Sequence, residues 1–94
     1  MATIYVKHQV KDFDSWKRNY DEFATVRKDN GVIRASLHRD ANDANTVIVM
    51  HRFENVGAAE SFLNSDELKS AMENSGVVGQ PEIWLCEDIE ETSH

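Results

Sequence analysis

Two five-residue stretches, VKHQV at 6–10 and VMHRF at 49–53, carry a histidine where an apolar alternation should continue. Side chains of an extended chain point alternately to opposite faces, so His8 shares a face with Val6 and Val10, and His51 with Val49 and Phe53. Imidazole is the side chain best suited to take and return a proton near neutral pH. One such group could deprotonate a phenol or an activated carbon acid while the second holds or returns the proton. Tyr20 is a candidate donor to the oxyanion that develops. Trp16, Phe23, Val6 and Val49 are the candidate apolar walls of a small-molecule site. The plain structural alternative treats both histidines as core residues with one hydrogen bond each, and Phe13, Trp16, Tyr20 and Phe23 as the buried stripe of a helix.

Other chemistries have less behind them. A metal site needs a third ligand, and Glu87, inward by alternation on the last strand, belongs to no spaced ligand motif, so neither a metal nor another cofactor is expected. Cys86 has no helix N-terminus or basic neighbour to activate it and reads as packing. Gly76-Val77-Val78-Gly79 lacks the lysines of a phosphate loop. His38 and Arg39 belong to a strand end, and His94 to the tail.

The elements that must position the histidines form two similar halves. A first strand spans about Thr3 to Val10. The run DFDSWKRNYDEFATVRKDNG is helical, capped by Asp12 or Asp14 and ended by Asn30-Gly31. A second strand, about Val32 to Arg39, turns Ile33, Ala35 and Leu37 inward. DANDAN is a turn leading to a third strand, about Thr46 to Phe53. After Asn55 the second half repeats the logic, with Ala59, Phe62, Leu63, Leu68 and Met72 available for burial and Ser65-Asp66 restarting the helix. Gly76 and Gly79 punctuate its end, and Pro81 stops any further helix at the start of a last strand, PEIWLCEDI. The order β-α-β-β-α-β predicts an α+β, ferredoxin-like fold with a four-stranded antiparallel sheet, filling residues 1–94 as one domain. Within it, the matched histidine patterns are read as a parallel pairing of strands one and three, which would set His8 and His51 level at one end of the sheet.

The opposite face of that sheet would carry Tyr5, Ile48, Met50, Trp84 and Cys86 with Lys7, Ser36, His38 and Arg52. It is too apolar to leave wet. The expected cover is the same face of a second copy, giving a homodimer through Tyr5, Met50 and Trp84 and a dimeric α/β barrel.

Charge limits the other partners. Ten Lys and Arg against 17 Asp and Glu leave a net charge of -7, a field that repels nucleic acid and anionic membranes. An RNA-binding sheet of this topology would want more basic residues than Lys7 and Arg52 on its open face. The acidic CEDIEETSH is expected to be a solvated strand end and tail. There is no membrane-length apolar run and no leader pattern, and a single cysteine suits a reducing compartment, so the cytoplasm is the expected location.

The segments VKHQVKDFDSWK, HRDANDANTVIVMHRFENVGAAESFLNSDELKSAM and GVVGQPEIWLCED together resemble the antibiotic biosynthesis monooxygenase-like group of the dimeric α/β barrel superfamily, over nearly the whole chain. The resemblance implies that fold and dimer. It also implies kinship with cofactor-independent oxygenases of polyphenolic polyketides, polyketide cyclases, haem-degrading oxygenases and isomerases, among which fold does not choose. Haem degradation would require a tryptophan where Phe62 stands, a histidine where Met72 stands, and a first-strand asparagine where Val6 and His8 stand. The plant-type cyclases share a first-strand histidine similar to His8. Their catalytic histidine is missing from Ser65-Asp66-Glu67-Leu68. What remains is a cofactor-independent monooxygenase or cyclase-like enzyme acting on a small aromatic or polyketide-like substrate through His8, His51 and Tyr20. The alternative is a non-catalytic dimer that holds a small hydrophobic ligand for stress response or regulation.

Overall fold

A computed structural model describes residues 1–94. The elements run β1 (Ala2–Val10), α1 (Phe13–Glu22), α2 (Ala24–Asp29), β2 (Arg34–Asp40), β3 (Asp43–Phe53), α3 (Val56–Leu63), α4 (Asp66–Asn74) and β4 (Val77–Glu87). They form the expected βαββαβ arrangement, each helical connection being broken into two segments. The four strands lie in the order β2-β3-β1-β4, and every neighbouring pair is antiparallel.

The parallel pairing expected for the first and third strands is therefore wrong. β2 and β3 are joined by a tight turn at Ala41-Asn42, where the Asp40 carboxylate accepts the Asn42 N–H at 2.9 Å. That hairpin reverses the chain, so β3, inserted between β1 and β2, must run against both. The resulting register pairs Val6 with Val49, Ile4 with His51 and His8 with Val47. The histidines share a face but stand four residues apart along the strands, roughly 14 Å at ~3.4 Å per residue.

Local chemistry accounts for the helix boundaries. The Asp12 carboxylate caps α1 by accepting the Ser15 N–H at 2.9 Å, Asn55 caps α3 through Ala58 N–H at 2.8 Å, and Ser65 caps α4 through Leu68 N–H at 3.2 Å. At the end of α2, Gly31 takes φ +94°, with Gly31 N–H bonded to Lys28 O and Val32 N–H to Arg27 O. This is the 5→2 and 6→1 pair that closes a helix with a left-handed residue. The first helical run does not continue unbroken as expected. At Phe23 the backbone tightens, its N–H shared between the Asn19 and Tyr20 carbonyls at 3.1 and 3.2 Å, and α2 departs on a new course.

Two other boundaries shift. Ile33 lies before β2 and is 56% exposed, and Ala35, although on the helix side, is exposed too. The last strand begins at Val77, so Gly79 and Pro81 sit inside it. Between Lys7↔Glu82 and Gln9↔Val78 the pairing slips, and β4 spends extra residues there. Gly79, with φ +71°, permits the bulge, and Pro81, lacking an N–H, fits an irregular stretch of an edge strand.

The buried interior falls into two clusters. Ala2, Ile4, Val6, Phe53, Ala59 and Phe62 form one, with Leu63, Leu68 and Met72 packed on it. Val10, Trp16, Val47 and Val49 form the other, with Phe13, Tyr20 and Leu37 against it. On the opposite face, Tyr5 pairs with both Met50 and Trp84, and Lys7 with Ile48. The tail does not simply run into solvent there. Asp88 N–H donates to Met1 O at 2.9 Å, and its carboxylate accepts the buried Thr3 hydroxyl at 2.6 Å and pairs with Arg52 at 3.3 Å.

Candidate functional site

Between the sheet's inner face and the helices lies a cavity of about 250 Å³. Every residue expected to act chemically or to bind ligand lines it: His8, His51 and Tyr20, with Trp16, Phe23, Val6 and Val49. Alternation along β1 and β3 aims the histidines at it, and the Val6–Val49 pair stands between them. The helical stripe supplies the roof. Trp16 is 4% exposed and stacks on Tyr20 at 5.1 Å between ring centroids.

The two imidazoles have similar settings at opposite ends. His8 meets Trp16 edge-on at 5.5 Å, and His51 meets Phe62 edge-on at 5.4 Å. Both are buried, yet no protein group hydrogen-bonds any of their four ring nitrogens. This differs from the core-residue alternative, in which each would have one bond, because buried polar groups almost always find a partner. Burial lowers the pKa of His8 to about 4. Burial likewise brings His51 to about 4, assisted by the positive charge of Arg27. The near-neutral pKa expected for these groups is thus displaced downward, because an apolar cavity disfavours the imidazolium. Both rings are neutral at pH 7, each with one N–H donor and one lone pair.

Arg27 escaped the sequence reading. It lies on the cavity wall, its guanidinium carbon 3.9 Å from the centroid of the Tyr20 ring and its Nη1 donating to Tyr20 O at 2.6 Å. Arg27 lies in α2, seven residues after Tyr20, whose carbonyl is at the end of α1. Asn19, Glu22, Asn74 and Ser75 also reach the cavity. Arg27 continues the spacing of Trp16, Tyr20 and Phe23, at i+7 from Tyr20 and i+4 from Phe23, and that spacing was the signal that could have found it. No three His, Cys, Asp or Glu side chains converge as a metal-ligand set, and Glu87 is exposed at the edge, paired across from Ala2.

The fold is that of a small ferredoxin-like α+β protein, with two unpartnered imidazoles facing an apolar cavity between sheet and helices. The chain belongs to the antibiotic biosynthesis monooxygenase family, whose model matches residues 1–74. Its fold is similar to that of SnoaB, a cofactor-independent oxygenase from Streptomyces nogalater (TM-score 0.81, 12% identity, 99% of this chain and 97% of that one). It is also similar to Rv0793 from Mycobacterium tuberculosis (TM-score 0.76, 11% identity, 98% of both chains). A third structure, of an antibiotic biosynthesis monooxygenase, aligns at TM-score 0.75 and 12% identity over 96% of this chain and all of that one. At these identities the likeness is one of fold. No curated protein matches the sequence. No helix is long and apolar enough to cross a membrane.

Proposed function

We propose that this chain is a cofactor-independent monooxygenase acting on a compact aromatic or polyketide-like substrate whose acidic C–H or O–H faces His51 or His8. The observation that carries the reading is the pair of buried imidazoles without protein partners, facing one cavity. A cavity of about 250 Å³ lies at the small end of ligand sites, which favours a compact ring system. A neutral imidazole takes the substrate proton as its N–H bond forms, and the carbanion or phenolate left behind is electron-rich enough to reduce dioxygen. For a methylene flanked by aromatic rings, one oxygen atom becomes a carbonyl and the other leaves as water. Tyr20 is the proposed donor to the developing oxyanion. SnoaB, which shares the fold, is a cofactor-independent oxygenase.

A homodimer through the open sheet face belongs to the same proposal. Trp84 and Tyr5, paired across the β1–β4 ladder, are 47% and 42% exposed, with Met50 and Ile48 beside them. A patch of this kind marks an association surface.

Binding without turnover is the second reading. It is favoured by the absence of any group that orients either imidazole, since catalytic bases are commonly held by a hydrogen bond to the second nitrogen. Dioxygen uptake with anthrone as the probe, in chelator-treated and flavin-free buffer, separates the two. The oxygenase reading expects one O₂ consumed per anthraquinone formed, falling roughly 100-fold or more in His51→Gln. Binding of anthrone with no uptake above the uncatalysed background would leave the binding protein.

A further inference from the structure

Arg27 is the cationic side chain of the cavity wall, and its environment is not that of a structural ion pair. Of the chain's 17 Asp and Glu side chains, three form ion pairs, all elsewhere: Asp21 with Lys17, and Asp88 and Glu91 with Arg52. None lies within ion-pair distance of Arg27, and Glu22, which also reaches the cavity, forms no bridge to it. The guanidinium has five N–H donors. One hydrogen bond to protein is made, to Tyr20 O, and together with the Tyr20 ring 3.9 Å away it holds the group in place. A fixed guanidinium with unused donors is the side chain best built to receive an oxyanion.

We propose that the cavity selects anionic aromatic ligands, carboxylates or phenolates, and that Arg27 holds their negative charge. The inference rests on the reading of the cavity as a small-molecule site and narrows its substrate class. Three features support it. A net charge of -7 repels anions from the surface at large, so an acidic protein that accepts one needs a local cation. The neutral imidazoles of His8 and His51 add N–H donors and no competing negative charge. Apolar walls of Trp16, Phe23 and Phe62 suit an aromatic body, and their low dielectric strengthens the pairing.

Calorimetric titration with 1-naphthoate and its neutral isostere 1-naphthamide, at low ionic strength, tests this. The wild-type protein is expected to bind naphthoate about tenfold or more tightly than naphthamide, the scale of a hydrogen bond to a charged group. Arg27→Gln should bring the two within about twofold by weakening naphthoate far more than naphthamide, and Arg27→Lys should retain part of the preference. Equal binding of the two probes by the wild type, or equal weakening of both in Arg27→Gln, overturns the assignment of charge recognition to Arg27 and leaves the cavity as a ligand site. Failure of both probes to bind overturns the cavity reading and this inference with it.

Discussion

His8 and His51 face one cavity from neighbouring antiparallel strands, four residues out of register, with the Val6–Val49 pair between them. That spacing makes them separate groups at the two ends of a site. In the proposed function, a substrate between them would meet one imidazole at each end and apolar surface in the middle. Proton removal at one end and proton return at the other then require no shared hydrogen bond between the rings.

Stability should fall with acid in a defined window. Each imidazole titrates near 6.5 in the unfolded chain and at about 4 in the folded one. Between those values the unfolded state binds more protons, so stability is complete above pH 6.5 and declines as pH falls toward about 4. The slope approaches roughly 1.4 kcal/mol per pH unit for each ring. Urea unfolding midpoints across this window should drop for the wild type and drop about half as steeply in His8→Gln or His51→Gln. A flat profile above the carboxylate range would show that the rings are not buried.

Phe62→Ala should be among the costliest substitutions. The ring is 1% exposed and touches Phe53 at 5.5 Å, Phe23 at 6.4 Å and His51 at 5.4 Å between centroids. Removing it joins a new void to an existing cavity, with an expected loss of about 3–5 kcal/mol in chemical denaturation. A loss under about 1 kcal/mol would mean that the helices collapse onto the sheet.

The tail should contribute to folding through Asp88. Thr3 is 1% exposed, and its hydroxyl has the Asp88 carboxylate as partner at 2.6 Å. Asp88→Ala leaves that hydroxyl buried without a bond, at an expected cost of about 1–3 kcal/mol. Thr3→Val with Asp88→Ala should cost less than the two single changes together, and strict additivity in the double-mutant cycle would show that the two do not interact.

Trp84→Glu or Met50→Glu should yield a monomer if the open face joins two copies. Burying a carboxylate against its symmetry mate is strongly unfavourable. Sedimentation of wild type and variants gives the mass directly. A wild-type monomer at high protein concentration would remove the dimer from the account.

Much of this site was legible because periodicity reports faces well. Alternation put His8, Val6, Val49 and His51 on the helix side, and helical spacing put Trp16, Tyr20 and Phe23 above them. Strand direction was not legible from the matched VKHQV and VMHRF patterns, since period-2 alternation reads the same forwards and backwards; the DANDAN hairpin carried that information. Gly79 and Pro81 looked like helix punctuation because the same residues that stop helices also permit a bulge on an edge strand. Arg27 was missed because the stripe was read from its apolar residues alone, although Arg27, seven residues after Tyr20, shares their face. The acidity of the tail hid Asp88, whose role depends on a tertiary partner, Thr3, 85 residues away.

The most direct test of the account is an NMR titration of the His8 and His51 imidazoles, free and in the presence of 1-naphthoate. The account predicts pKa values near 4 for both in the free protein. Both should rise when the anion is added, because a negative charge beside the rings favours the imidazolium. Values close to 6.5 that do not respond to the ligand would contradict it, placing both rings in water and away from any binding site.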